Sequence, residues 1–213
     1  MGEGEIAVLI TFEGLDGAGK STQIQRLRIR LEQAGYPVLW TREPGGTPLG
    51  DMLRSLLLSS SGGPVAAKTE ALLYAASRAQ LLEQVIQPAL TQNKIVLCDR
   101  FVDASIAYQG AGLGLGISAV EHLNDWVLGG IKPQLTLLFD LPVQVSRQRV
   151  RHSRGEGAAD RIEQRDNEYF ERVRRALLDL ARRHPQRIHV VDATWGLDAV
   201  EQEIWHVVEK SLV

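Results

Sequence analysis

A glycine-rich loop between an apolar run and an amphipathic stretch constrains the fold of this chain more than any other feature. The loop matches the pattern G-x-x-x-x-G-K-[ST] from Gly14 to Ser21. Residues 6–12 before it have the continuous apolar character of a buried parallel strand, and residues 23–31 after it carry apolar side chains at helical spacing. Strand, loop and helix in this order form a phosphate-binding site, because loop N–H groups and the helix N-terminus face an anion.

Two side chains of the loop and one outside it have predicted roles. We expect Lys20 to reach the β- and γ-phosphates of a nucleotide, and the Ser21 hydroxyl to ligate Mg²⁺. Asp99 follows a second apolar run, at the carboxyl end of a predicted strand, where open parallel sheets bind their ligands. Asp99 is therefore the second predicted metal ligand. The predicted nucleotide contacts are Gly14, Leu15, Asp16, Gly17, Ala18, Gly19, Lys20, Ser21 and Thr22.

The composition narrows the class of protein. A chain of 213 residues with a net charge of −2 is expected to form one domain over residues 1–213, without a general attraction to nucleic acid. Its single cysteine, Cys98, excludes an internal disulfide and fits a reducing compartment. The apolar runs are too short to span a bilayer, and the acidic start does not resemble a signal peptide. We therefore expect a cytoplasmic protein with no nucleic-acid or membrane partner.

The order of apolar runs and amphipathic stretches predicts an α/β fold with a parallel sheet. After the first strand, further strands are predicted at 37–41, 95–98, 134–140 and 188–192. Helices are predicted at 51–58, about 68–90, 120–128, 167–183 and 199–212. The Gly-rich stretch 109–116 has no preceding strand, and we interpret it as a mobile loop.

A basic segment follows the fourth predicted strand. Six basic residues surround Gly155 and Gly157: Arg147, Arg149, Arg151, His152, Arg154 and Arg161. Glycines among arginines predict a mobile lid at about 147–163 that closes over polyphosphate. The alternative is a solvated charged face.

A phosphate loop alone leaves several functions open. The pair Asn93-Lys94 lacks the aspartate of the N-K-x-D guanine motif, which disfavours a GTPase. A small kinase that passes a phosphoryl group to a second substrate is the favoured class. The alternatives are another nucleotide or nucleoside kinase, such as one acting on dUMP or deoxynucleosides, and a protein that holds ATP without transferring phosphate.

Further residues suggest what the acceptor is. Arg54 and Arg100 could clamp a phosphate, since the planar guanidinium binds phosphate oxygens in pairs. Tyr74 and Arg78 share a helix face at i and i+4, and they offer a ring and a donor to a base. Asp16 suits a sugar hydroxyl. Each also has an ordinary structural explanation, such as core packing or an ion pair, but together they indicate a nucleoside monophosphate.

At these positions the chain resembles the thymidylate kinase family. The resemblance rests on residues 12–23, 41–47, 74–80, 99–101, 107–110 and 160–163. It implies the reaction ATP + dTMP ⇌ ADP + dTDP with Mg²⁺, on the route to dTTP. It also implies a nucleoside monophosphate kinase-like three-layer sandwich, with a five-stranded parallel sheet covered by helices, and a homodimer.

The resemblance assigns roles to the acceptor residues. It implies that Arg54 and Arg100 bind the dTMP phosphate and that Asp16 binds the deoxyribose 3′-hydroxyl. Tyr74 would stack on thymine, Arg78 would hydrogen-bond a thymine carbonyl, and Tyr108 would lie at the sugar 2′ position. Ser105 and Gln109 would lie near the base. The stacking position is more often Phe in the family, so Tyr74 adds a hydroxyl that needs a partner.

The catalytic arginine is expected in the lid. Some relatives carry an arginine where this chain has Gly17, and the chain resembles the bacterial-type subgroup that supplies it from the lid. Arg154, directly before the first lid glycine, is the predicted residue. The alternatives are Arg149, Arg151 and Arg161. The predicted catalytic set is Lys20, Asp99, Arg100 and Arg154.

Overall fold

The described part of the chain forms a five-stranded parallel sheet. The structure is a computed structural model that describes residues 7–59, 63–154 and 160–212, apart from the side chain of Arg154. The strands are β1 (Val8–Gly14), β2 (Val38–Arg42), β3 (Ile95–Asp99), β4 (Leu135–Asp140) and β5 (Ile188–Asp192). Their order in the sheet is β2-β3-β1-β4-β5. Each predicted strand therefore exists, with bounds that differ by a residue or two.

The central strand β1 positions the site. All seven of its residues are buried, as expected for a strand with neighbours on both edges and helices on both faces. Phe12 pairs with Asp99 of β3, and Gly14 pairs with Phe139 of β4. The chain leaves β1 for β2 on one side, while β4 and β5 lie on the other. The crevice at the carboxyl end of β1 is thus a topological switch point, where such sheets bind ligands.

Helices cover both faces of the sheet. They are α1 (Lys20–Gln33), α2 (Pro48–Leu58), α3 (Ala67–Leu81), α4 (Gln87–Thr91), α5 (Val102–Ser105), α6 (Ile117–Leu128), α7 (Val143–Arg154), α8 (Asn167–Arg183) and α9 (Leu197–Ser211). Two π-helical turns, Leu82–Ile86 and Ile106–Gly112, connect α3 to α4 and extend α5. No helix in the described ranges combines the length and the hydropathy that a membrane span requires.

Each face of the sheet has its own apolar core. On one face α1 contributes Ile24 and Leu27, and α9 contributes Ile204 and Val208. On the other face the core includes residues of α3, α5, α6 and α8, among them Phe170. The spacing of these side chains produces the amphipathic helices that the sequence predicts. The architecture is the predicted three-layer α/β sandwich.

The Gly-rich stretch 109–116 differs from its prediction. Its first four residues belong to the π-helical turn Ile106–Gly112, and the backbone there packs against α8. A Cβ on Gly112 would lie 2.6 Å from Cε2 of Tyr169. The prediction of a mobile loop is therefore wrong for these four residues, because Gly112 serves close packing between helices rather than mobility.

Gly14 allows the close approach of β1 to β4. It has φ of +132°, and a Cβ at this position would lie 2.4 Å from the carbonyl oxygen of Phe139. We expect Gly14→Ala to lower the free energy of unfolding by about 3 kcal/mol, through backbone strain and overpacking. Urea unfolding followed by circular dichroism measures this change.

Gly35→Ala is the matched control for that substitution. Gly35 also has a positive φ, +89°, but a Cβ there would meet no atom within 4 Å. Only the left-handed backbone penalty of about 1 kcal/mol is expected. Equal losses in the two variants would contradict the proposed clash.

Candidate active site

The glycine loop has the shape of a phosphate cradle. Gly17 and Gly19 adopt positive φ angles of 75° and 89°, which turn the chain sharply into the N-terminus of α1. Lys20, the first residue of α1, donates from Nζ to the carbonyl oxygens of Gly14 at 3.2 Å and Leu15 at 3.0 Å. Burial lowers the pKa of Lys20, and the nearby Arg100 adds to this. Its ammonium group is thus held at the loop by weak neutral acceptors, which a phosphate could replace.

Ser21 and Asp99 form a pair of oxygen donors beside the loop. The Ser21 hydroxyl donates to Oδ2 of Asp99 at 3.3 Å. Oδ1 of Asp99 is buried, and no described residue hydrogen-bonds to it. Within the described ranges no group of three or more His, Cys, Asp or Glu residues is arranged to hold a metal. One carboxylate and one hydroxyl fit Mg²⁺, which usually takes its remaining ligands from water and substrate phosphates.

A cavity lies beside the loop at the same edge of the sheet. Its volume is about 590 Å³, including the open mouth. It is lined by all eight residues that the sequence assigns to the acceptor: Asp16, Arg54, Tyr74, Arg78, Arg100, Ser105, Tyr108 and Gln109. These residues come from five separate stretches of the chain, and the fold brings them to one place.

Arg54 and Arg100 concentrate positive charge in this cavity. Arg54 donates to the carbonyl oxygen of Pro44 at 3.1 Å, and Arg100 donates to Oδ1 of Asp16 at 2.8 Å. Burial lowers the pKa of Arg54, and neighbouring arginines lower it further. The Arg100 guanidinium also lies 4.8 Å from the ring centroid of Tyr108. Mutual repulsion between the arginines favours an anion between them.

Arg78 is mostly a structural residue. It is 1% exposed, and it forms a 2.5 Å ion pair with Glu43. It also donates to the carbonyl oxygen of Phe101 and to Oγ of Ser105, each at 3.0 Å, and to the side chain of Asn124. Only its Nε is buried with no partner in the described chain, and this N–H is the donor that Arg78 can offer to a ligand. The ion pair is thus present, and the role of Arg78 as a donor to a base stays a prediction.

Two tyrosines give the cavity aromatic walls. Burial raises the pKa of Tyr74 to about 12, so its hydroxyl is neutral at physiological pH. Tyr108 is 6% exposed, and its ring meets that of Tyr169 edge-on at a centroid distance of 6.3 Å. Burial also raises the pKa of Tyr108. The two tyrosines therefore give the cavity uncharged aromatic surfaces beside its arginines.

Glu13 is a residue that sequence reasoning left without a role. It is fully buried at the end of β1, and its Oε1 accepts from the backbone N–H groups of Phe101 at 2.8 Å and Ala104 at 3.2 Å. This holds the turn in which Arg100 adopts φ of +67°, a conformation that costs a non-glycine residue energy. The available signal was a lone carboxylate within an apolar strand next to the loop.

The arginines of the predicted lid lie in different surroundings. On α7, Arg149 donates to the carbonyl oxygens of Gly17 at 3.5 Å and Ala193 at 3.1 Å. Arg161 instead donates to the carbonyl oxygen of Leu57 and to Glu70, both at 2.8 Å, so α2 and α3 hold it. The Arg154 side chain and residues 155–159, which include the predicted hinge glycines, lie outside the described structure.

A phosphate loop, a pair of oxygen donors and an arginine-lined cavity at one edge of a five-stranded parallel sheet are the features of a P-loop nucleoside monophosphate kinase fold. The sequence profile of the family described as thymidylate kinase matches residues 12–204. The chain is 48% identical over 210 residues to a thymidylate kinase of Syntrophotalea carbinolica, with 97% of each chain covered. It is 50% identical over 197 residues to one of Pseudomonas putida, with 92% of each covered.

A solved structure gives the same result. The crystal structure of thymidylate kinase from Ehrlichia chaffeensis matches with a TM-score of 0.77 and 34% identity, over 95% of this chain and 99% of that one. This chain belongs to the thymidylate kinase family, and the resemblance seen in the sequence is confirmed.

The buried carboxyl of Glu13 makes stability depend on pH. Burial, with the charge of Asp103, raises its pKa from 4.5 to about 8. The folded state thus binds more protons than the unfolded chain between these values, and stability falls as the pH rises from about 4.5 to 8. Glu13→Gln should remove part of this decline, at most about 1.4 kcal/mol per pH unit. Urea unfolding at pH 5, 6.5 and 8 measures the slopes.

Glu168→Gln, a change to an exposed glutamate on α8, is the control and should keep the wild-type slope. Parallel slopes for Glu13→Gln and the wild type would contradict a raised pKa at Glu13.

Proposed function

We propose that this chain transfers the γ-phosphoryl group of ATP to dTMP, giving ADP and dTDP for the synthesis of dTTP. Family membership over nearly the whole chain supports the activity. The observation that carries the proposal is a cavity beside the phosphate loop whose lining combines Arg54 and Arg100, the ring of Tyr74 and the buried Arg78.

On the acceptor side, Arg54 and Arg100 hold the dTMP phosphate, and Asp16 accepts from the 3′-hydroxyl. Tyr74 stacks on thymine, Nε of Arg78 donates to a thymine carbonyl, and Tyr108 fills the space of a 2′-hydroxyl. Ser105 and Gln109 complete the pocket around the base. The attacking phosphate oxygen has a second pKa of about 6, so it is largely ionised at neutral pH and needs no general base.

On the donor side, residues 14–22 surround the ATP phosphates, and Lys20 moves from its loop carbonyls to the transferred group. Ser21 and Asp99 hold Mg²⁺, which neutralises charge on the phosphates when it is bound. Positioning and charge neutralisation supply most of the rate acceleration in such a site.

The chain forms a single kinase domain with a lid at about 147–163. This lid supplies the arginine that neutralises charge on the transferred phosphoryl group. Arg154 is the proposed catalytic residue, since it ends α7 directly before Gly155. Arg149 and Arg151 are the alternatives on the same helix. The position of Arg149 against Gly17 supports α7 as the source of this charge.

We also propose a homodimer. Leu49, Met52 and Leu56 form an exposed apolar stripe along α2 at i, i+3 and i+7. Leu72 on α3 and Trp126 on α6 are also exposed, and α3 packs against both α2 and α6. A second copy of the chain would cover this apolar face, and sedimentation equilibrium of the intact protein tests it. The buried free thiol of Cys98 supports a cytoplasmic location.

The first experiment is a phosphoryl-transfer assay with ATP and Mg²⁺ against dTMP, dUMP, dCMP, dGMP, AMP and thymidine. We expect a strong preference for dTMP, because the cavity offers groups for a phosphate, a sugar hydroxyl and a base. Liquid chromatography of ADP and the product nucleotide measures it. Preference for another acceptor would overturn the base assignment, and ATP binding without any transfer would overturn the activity.

Arg154→Ala should lower kcat by about 10³-fold or more, as loss of a charge-stabilising arginine does in related reactions. The KM for dTMP should change little, because the lid arginine contacts the transferred group. Steady-state kinetics of Arg154→Ala, Arg149→Ala and Arg151→Ala compare the three positions, with Arg182→Ala on the exposed side of α8 as control. An unchanged kcat for Arg154→Ala would move the role to whichever variant loses it.

A further inference from the structure

Glu70 is a buried carboxylate behind the acceptor cavity. Its side chain is 0% exposed on α3. Oε2 accepts from Nη2 of Arg161 at 2.8 Å and from Nη2 of Arg165 at 2.6 Å. Oε1 accepts from Nε2 of Gln109 at 3.0 Å. Among these partners, Gln109 is the one that lines the cavity.

The charge on Glu70 dictates which end of the Gln109 amide faces it. Burial alone would raise the pKa of Glu70, but hydrogen bonds from Arg165 and Gln109 outweigh this and lower it. An ionised carboxylate accepts hydrogen bonds and donates none. The Gln109 NH₂ group must therefore face Glu70, which leaves the amide oxygen for the cavity.

The amide oxygen of Gln109 can also accept a hydrogen bond from a ligand. No hydrogen bond from the described residues reaches it, whereas its Nε2 is engaged by Glu70. Arg78 lines the same cavity, and its Nε is a buried donor without a partner in the described chain. The cavity thus presents one acceptor and one donor to a ring.

We propose that Glu70 is a specificity-determining positioning residue, which fixes the amide of Gln109 so that the pocket reads the imide edge of a pyrimidine. This inference rests on the proposed function. An imide edge has an N3–H donor and a C4 carbonyl acceptor, which complement Gln109 and Arg78. A 4-aminopyrimidine has a bare N3 and a C4 amino group, so both contacts become unfavourable.

A glutamine alone would not give this selectivity. Its amide can rotate by half a turn and exchange oxygen for NH₂ with little change of shape. A reversed amide would donate to the bare N3 of a cytosine ring. Selectivity between the two rings therefore depends on what holds the amide, and here that is the carboxylate of Glu70.

The test substitution is Glu70→Gln. A neutral amide at position 70 can accept or donate, so Gln109 is free to adopt either orientation. We expect the ratio of kcat/KM for dTMP to that for dCMP to fall about tenfold or more, which corresponds to one base contact. The change should appear mainly in KM, because the phosphate-binding groups are untouched.

Arg165→Gln is the matched control. It removes one of the two arginines from Glu70 but leaves the contact between Glu70 and Gln109. It should keep the wild-type ratio even if its Tm falls as much as that of Glu70→Gln. An unchanged ratio in folded Glu70→Gln, or an equal fall in both variants, overturns the proposal.

A second measurement does not depend on the folding of Glu70→Gln. In a ¹⁵N–¹H spectrum of the wild type, the side-chain NH₂ of Gln109 is identified by its loss in Gln109→Leu. We expect its protons to exchange slowly with solvent, with and without dTMP. Rapid exchange, or loss of protection when dTMP binds, overturns the inference. A wild type that fails to phosphorylate dTMP overturns the proposed function instead, and this resonance remains measurable.

Discussion

Three buried glutamates hold the polar groups of this site in place. Glu13 holds the turn that carries Arg100, Glu43 pairs with Arg78, and Glu70 binds Gln109 together with two arginines. Each comes from a different element, and each is at most 4% exposed. Removing one partner of a buried charged pair, as Glu43 forms with Arg78 and Glu70 with Arg165, typically costs about 3–5 kcal/mol. The stability of the fold and the geometry of the cavity therefore depend on the same contacts.

The strand pairing of the sheet determines which parts of the chain Glu13 can contact. Glu13 lies next to the end of β1, and the pairing of Phe12 with Asp99 puts the turn after β3 directly beside it. The neighbouring pairing of Gly14 with Phe139 leaves no room for a side chain at the start of the loop. The phosphate loop, the pair of Ser21 and Asp99, and the cavity lined by Arg54 and Arg100 thus share one edge of the sheet, which suits a reaction that depends on positioning.

Much of the site could be predicted because its signals are local. The loop from Gly14 to Ser21 and the position of Asp99 after an apolar strand are visible in short stretches of sequence. The fold class followed from the alternation of strands and helices. Arg54, Tyr74 and Arg78 could be named as candidate groups for a phosphate and a base, but their assignment to dTMP and thymine needed the family resemblance, since nothing local shows that they meet at one cavity.

Other features could not be read from the sequence because they depend on contacts between distant residues. In the sequence Glu70 is an ordinary glutamate of a predicted helix, and only the structure shows that Arg161 and Arg165 bind its carboxylate. Gly112 looked like part of a mobile loop, whereas its small size accommodates the ring of Tyr169. The roles of the lid arginines remain predictions, because Arg154 ends α7 where the described structure stops.

The burial of Cys98 has a practical consequence for testing the proposed lid. Its Sγ donates to the carbonyl oxygen of Arg100, and burial raises its pKa well above the usual value. Since alkylating reagents react with the thiolate, this thiol is protected at neutral pH. The chain as it stands should therefore not react with a thiol-specific label at neutral pH. A single cysteine introduced on the exposed side of α7 would accept a fluorophore alone, and its signal would report whether that helix moves during turnover.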